Sequence, residues 1–155
     1  MNPSAGNKGD IAAERSRALF DSGMYCAESV LQAVAEVMGI QSDLIPRIAT
    51  GFCGGVSHTC RLCGALSGAV MAINIIHGRQ SPEESVTQNF ELVKKVINRF
   101  VSQFGASNCQ ELISCDLGTD EGQSYFIKNN LVEKCKDYTA GAVRIVIQIL
   151  ESCEE

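Results

Sequence analysis

The sequence predicts an all-α protein, a compact single-domain bundle of about five to seven helices. Apolar residues recur at steps of three and four along most of the chain, which is the period of a helix with one buried face. Glycines close several of these segments, and serine, threonine or proline opens others, as helix ends require. No pair of alternating segments flanks a hairpin turn, so a sheet lacks its building unit. At 155 residues with no internal linker, the chain fits one core over residues 1–155, with residues 1–9 expected to be a flexible N-terminus.

Asp10 to Ser22 carries Ile11, Ala12, Leu19 and Phe20 among charges and stops at Gly23. Cys26 opens the next helix, in which Ala27, Val30, Leu31 and Val34 share a face and Gly39 supplies a left-handed stop. Ser42 is placed to cap a short helix through Ile48, with Pro46 in its early turns. The glycine-rich stretch from Gly51 then reads as a loop, leading into a helix from about Cys60 to His77 that Gly78 ends. Ser81-Pro82-Glu83-Glu84 has the form of a capping box and predicts a long helix to Gly105, about 34 Å at 1.5 Å per residue. Cys109 to Ile113 predicts a short helical turn, Ser124 to Leu131 another, and Asp137 to Ser152 a final helix presenting Tyr138, Ala142, Ile145, Val146 and Ile149 on one side.

Composition narrows the function. Residues are 45% hydrophobic and 20% charged, enough apolar material for a packed core. The net charge of −5 opposes phosphate backbones and no basic stripe occurs, so no nucleic-acid partner is expected. The N-terminal residues lack a secretory apolar run and Leu62 to Ile76 is too short to span a bilayer, so a cytoplasmic protein without a membrane span is expected. Cysteine is the anomaly: eight stand at 26, 53, 60, 63, 109, 115, 135 and 153. In a reducing compartment that number favours metal binding or transient thiol chemistry over permanent disulfides.

Cys60-Arg61-Leu62-Cys63 is a C-x-x-C where loop is predicted to become helix. There, free amides and the helix dipole favour a thiolate, which is both nucleophile and metal ligand. Arg61 adds positive charge, and Gly54 and Gly55 let the backbone approach a cluster or partner, as Gly64 does beyond Cys63. A haem-attachment motif would need histidine after Cys63, where Gly64 stands; a thioredoxin site needs a βαβ setting; a zinc ribbon needs a second C-x-x-C or an H-x-x-x-H. None is present. Gly64, Ala65, Gly68, Ala69 and Ala72 form a smooth stripe that permits close helix packing, able to bring cysteines of neighbouring helices together or to serve a homodimer. His58 is a weaker candidate as a ligand or thiolate neighbour, and His77 suits a helix C-terminus. Glutamates and aspartates at 83, 84, 120 and 121 are explained as helix-start residues.

Cys26-Ala27 opening a helix, Gly51 to Gly55, Cys63-Gly64-Ala65-Leu66-Ser67-Gly68, Cys109-Gln110-Glu111-Leu112, and Cys135 before a terminal helix together resemble the C_GCAxxG_C_C family, for whose members redox activity has been proposed. The resemblance runs over nearly the whole chain. It implies a small helical protein with Cys26, Cys63, Cys109 and Cys135 as defining thiols, and Cys53, Cys60, Cys115 and Cys153 as additions. A related cysteine-rich domain accompanies haem in split-Soret cytochromes with an iron–sulfur centre; without the haem motif, only the cluster would carry over.

The leading expectation is a redox protein gathering Cys26, Cys63, Cys109 and Cys135, with Cys60 and Cys53 adjacent, for an iron–sulfur cluster or for dithiol/disulfide exchange with an unknown redox partner. The glycines at 54, 55 and 64, with Cys53, are expected to line the cofactor. Competing readings are a structural zinc module on the same four thiols and a helical homodimer with inert cysteines and no cofactor.

Overall fold

The computed structural model describes residues 7–155. It is all helical, with no strand among the described residues and eight α-helices, one more than the upper end of the sequence expectation. They are α1 (Lys8–Asp21), α2 (Cys26–Val37), α3 (Cys53–His58), α4 (Gly64–His77), α5 (Thr87–Phe104), α6 (Cys109–Ile113), α7 (Asp120–Lys128) and α8 (Val132–Cys153), with a 3-10 helix at Arg47–Phe52 between α2 and α3. The surplus arises in the middle of the chain, where the expected loop after Gly51 is itself coiled.

The ends follow local chemistry. Asn7 caps α1 by accepting from the Asp10 N–H at 2.8 Å, so Lys8 and Gly9, expected to be flexible, are helical; residues 1–6 lie outside the described residues. Gly39 stops the turn after α2 with φ +71° and Gly105 closes α5 with φ +92°, as predicted. The segment after Ser42 departs from expectation. Ser42 caps only a turn, its hydroxyl accepting from the Leu44 N–H, and Pro46 then heads the 3-10 helix.

Two predicted helix starts are corrected. The Ser81 box does not begin α5: the Glu84 carboxylate accepts from the Gln80 N–H at 2.8 Å and closes a turn on itself. The helix waits until Thr87, whose N–H bonds the Ser85 hydroxyl, and its 18 residues span about 27 Å. Helix α4 begins at Gly64 and not at Cys60, because Cys60 has φ +61° and Leu62 pairs antiparallel with Asn108. Cys60 and Cys63 therefore do not share a helical face.

The core is built from α2, α4, α5 and α8, with Leu31, Leu66, Ile73, Phe100, Val143 and Val146 almost fully inaccessible. Helix α1 lies on α8, where Gly9 faces Ile147. The predicted small-residue stripe on α4 packs within this core rather than on the surface: Gly64, Ala65, Gly68, Ala69 and Ala72 are all buried. A Cβ on Gly68 would stand 2.7 Å from the Ala27 carbonyl oxygen and 2.9 Å from the Val30 Cβ, so α4 touches the α2 backbone directly. The stripe is thereby occupied inside the molecule and is not an exposed dimer surface.

Replacing Gly68 by valine should force α2 and α4 apart and lower stability by about 1–3 kcal/mol, read as a lower urea midpoint at unchanged m-value. An unshifted midpoint would show that the two helices do not meet there.

Candidate functional site: two groups of thiols

Seven of the eight cysteines gather where α2, α3, α4, α6 and α8 begin, and all eight are free thiols. Cys26 is the first residue of α2, Cys53 the first of α3, Cys109 the first of α6; Cys63 is the cap of α4, and Cys135 lies in the first turn of α8. Helix starts carry unpaired N–H groups and the positive dipole end. The Cys53 sulfur accordingly meets the Ala27 and Glu28 amides and the Cys63 sulfur those of Ala65 and Leu66, while Cys53 also donates to the Ala49 carbonyl at 3.8 Å. Cys153, at the far end of α8, is exposed and bonds the Ile149 carbonyl at 3.3 Å.

The first group is Cys26 with Cys53. The two thiols face each other, and the interaction with Cys26, followed by burial, raises the Cys53 pKa. The Ala27 and Glu28 amides of α2 face the Cys53 sulfur and act in the opposite sense. Cys53 also donates to Glu28 Oε1 at 3.7 Å. Glu28 is held for this contact: its Oε1 accepts from the Tyr25 N–H at 3.1 Å and its Oε2 from the Thr50 hydroxyl at 2.9 Å. Cys26 rests on Gly64, where any Cβ would overlap its sulfur. This is why Gly64 is a glycine.

The second group is Cys63, Cys109, Cys115 and Cys135. Burial is the largest cause raising each of their pKa values; it takes Cys63 and Cys109 to about 11 and Cys135 to about 12. Cys63, Cys109 and Cys115 each raise Cys135 further, and so face it within electrostatic reach. The backbone makes the convergence. Cys63 N–H donates to the Ser107 carbonyl at 2.8 Å and Cys109 N–H to the Arg61 carbonyl at 2.9 Å, stitching the approach to α4 alongside the approach to α6. Tyr138 hydroxyl donates to the Leu112 carbonyl at 2.8 Å, tying α8 to α6, and its ring stacks edge-on to Phe104 at 5.0 Å.

Gly55 admits Cys109, since a Cβ there would lie 2.5 Å from the Cys109 Cβ. It belongs to a run from Gly54 to His58 in which every residue has φ between 56° and 69°. That is a left-handed turn, costing roughly 1–2 kcal/mol for each of Val56, Ser57 and His58. Hydrogen bonds from the Thr59 hydroxyl to the Val56 carbonyl (2.7 Å) and from the Ser57 hydroxyl to the Gly51 carbonyl (2.9 Å) help hold it. His58 is exposed, and its ring covers Gly54.

Residues 24–149 match the family described as "Putative redox-active protein (C_GCAxxG_C_C)". The chain belongs to that family. A protein of Archaeoglobus fulgidus, named only as uncharacterized, is 27% identical over 150 residues, covering 90% of this chain and 93% of its own. No solved structure matches. Of the family's four motif cysteines, Cys63, Cys109 and Cys135 come together, whereas Cys26 lies on the other side of the Cys63-Gly64 step and has Cys53 for its neighbour. Cys60 lies at the edge of the second group, within electrostatic reach of Cys109 and Cys115, and donates to Asp116. Glu28, Asp116 and Tyr138 are not legible in the sequence as site residues, because each also has an ordinary place in a helix start, a loop or an apolar face.

Among the described residues no three histidine, cysteine, aspartate or glutamate side chains are disposed to hold a metal ion. No helix among the described residues is long and apolar enough to cross a membrane.

The raised thiol pKa values fix a sign for stability. An ordinary thiol releases its proton near 9.0, so on raising the pH the unfolded chain deprotonates before Cys63, Cys109 and Cys135 do. Their contribution is complete below about pH 9 and is lost as pH rises through about 11 for the first two and about 12 for the third. The urea midpoint of the reduced protein should fall between about pH 8 and about pH 11, and Cys135→Ala should flatten that fall. A midpoint constant over the interval would mean that these thiols are not buried as protonated groups.

Proposed function

We propose that the protein is a thiol–disulfide oxidoreductase in which Cys26 is the attacking thiol, Cys53 the resolving thiol and Glu28 the base that takes the Cys53 proton. One observation carries this reading: the more buried of two facing thiols, Cys53, donates to the Glu28 carboxylate at 3.7 Å. Half-buried Cys26 is the more accessible of the two, which suits it to meet a substrate first.

In this scheme the Cys26 thiolate attacks one sulfur of a substrate disulfide, forming a mixed disulfide and expelling the other sulfur as thiolate. Glu28 then accepts the Cys53 proton, the Cys53 thiolate attacks the Cys26 sulfur, and the second substrate thiolate leaves. Two electrons pass from the protein dithiol to the substrate, which takes up two protons as its thiols form. The amides of Ala27 and Glu28 favour the transient charge on Cys53. Tyr25, Ile48 and Phe52 border the pair and are exposed by 62%, 54% and 41%, supporting a disulfide carried on a polypeptide with apolar side chains. Buried Cys63 and Cys109 and half-buried Cys135, all protonated, are a reserve of thiols behind this pair.

Anaerobic purification with metal analysis, followed by oxidation with hydroxyethyl disulfide and peptide mapping, tests the scheme. The expected product is one Cys26–Cys53 disulfide in a metal-free protein. Cys53→Ser should trap the mixed disulfide on Cys26, and Glu28→Gln should slow its resolution by roughly 10²-fold. Stoichiometric iron or zinc lost together with folding on chelation, or Cys26 and Cys53 both remaining alkylatable, would replace this reading with the metal-centre one.

A further inference from the structure

Cys60 and Cys115 take no part in the scheme above and are additions to the four-cysteine motif. Cys60 donates to Asp116 Oδ1 at 3.1 Å, and the same oxygen accepts from the Gly118 N–H at 2.8 Å. The two donors hold the Asp116 carboxyl below its usual range, so it is an anion fixed against a thiol. Cys115 is the next residue in the chain, and it lies within electrostatic reach of both Cys60 and Asp116. Both thiols are half-buried, unlike the enclosed Cys63 and Cys109.

The local backbone holds this contact. Cys60 itself has φ +61°, the left-handed region that a non-glycine residue occupies at a cost. The Arg61 N–H bonds the Gly55 carbonyl at 2.9 Å, and a Cβ on Gly118 would lie 2.7 Å from the His58 carbonyl oxygen. The loop before α4 and the loop before α7 are thus in direct backbone contact. In the chain flanking them, between Phe52 and Phe90 and between Val101 and Tyr125, Ile75 is the one exposed large apolar side chain, and Arg61 is exposed next to Cys60.

We propose that Cys60, Cys115 and Asp116 form a second dithiol site, separate from Cys26 and Cys53, that reduces low-molecular-weight disulfides. Asp116 takes the Cys60 proton, and the Cys60 thiolate attacks the small disulfide, giving a mixed disulfide and one free thiolate. The Cys115 thiolate, its proton passing to solvent, then attacks the Cys60 sulfur; the Cys60–Cys115 bond forms and the second small thiolate leaves. The protein loses two electrons, and the substrate gains them with two protons. The polar surroundings suit a small hydrophilic substrate, in contrast to the aromatic border of the Cys26 pair.

The test uses the full chain with Cys26→Ser and Cys53→Ser together, so that its result does not depend on the first dithiol. Treated with hydroxyethyl disulfide and mapped by mass spectrometry, this protein should form a Cys60–Cys115 disulfide and release two equivalents of mercaptoethanol. Adding Cys115→Ser should stop the reaction at the mixed disulfide on Cys60. Adding Asp116→Asn, which keeps an oxygen for the Gly118 N–H but is a far weaker base, should slow Cys60 modification by at least about tenfold. If circular dichroism shows that the double serine background does not fold, the same mapping on the wild-type chain decides. A Cys109–Cys115 disulfide in place of Cys60–Cys115, an unmodified Cys60, or an Asp116→Asn rate equal to that of the parent would overturn the proposal.

Discussion

The contact on which the sulfur arrangement rests is that of α4 against α2 through two glycines. Gly68 meets the Ala27 carbonyl and Gly64 meets the Cys26 sulfur, each at a distance that excludes any side chain. Glycine inside a helix costs up to about 1 kcal/mol relative to alanine, and here that cost is offset by dispersion contacts along the rest of the stripe. Once α4 is seated so closely, Cys63 at its cap is fixed relative to Cys26 at the start of α2. Cys53 follows, because the 3-10 helix that leads to it is anchored on α2 through the Thr50–Glu28 bond. Packing of two helices thereby sets the position of three sulfurs.

A second constraint adds to the first. The Leu62–Asn108 bridge joins segments that no helix connects, and it brings Cys109 under Gly55 and beside Cys63. The left-handed turn from Gly54 to His58 is the geometric consequence: the chain must reverse within a few residues to pass over Cys109 and return to the cap of α4. Strain of this kind persists only where the surroundings impose it. Here they do so through the Thr59 and Ser57 hydroxyl bonds and the Arg61–Gly55 backbone bond. These two glycines are therefore not generic loop residues. Gly55 and Gly64 each vacate the volume that a particular cysteine fills.

Much of the helical frame was legible in the sequence, because amphipathic period and glycine stops act within a few residues of where they are read. Helices α1, α2, α6 and α8 lie where periodicity puts them, with ends displaced by a few residues. What failed was decided by competing contacts, one of them local and the others between segments distant in sequence. Ser81 has the form of a cap, yet its Glu84 finds the Gln80 amide and makes a turn. Cys60-Arg61-Leu62-Cys63 has the form of a helical C-x-x-C, yet the pairing of Leu62 with Asn108 extends it and turns Cys60 towards Asp116. Glu28 looks like a helix-start carboxylate and is one; that a thiol 25 residues further on also donates to it is a property of the fold alone.

The two thiol–carboxylate contacts share a physical logic. A carboxylate near a thiol opposes ionisation electrostatically, as the raised Cys60 pKa reflects, but it also offers the proton a place to go. Its worth lies in the step rather than in the resting state: a base already hydrogen-bonded to the sulfur removes the proton without waiting for solvent, while neighbouring thiols stay protonated and unreactive. Backbone amides complete the arrangement, holding Glu28 through Tyr25 and Asp116 through Gly118 so that neither carboxylate can swing away into water. Burial then separates the roles. Cys63, Cys109 and Cys135, raised to about 11 or 12, stay neutral near pH 7, whereas the half-buried Cys26 and Cys60 are open to a disulfide from outside.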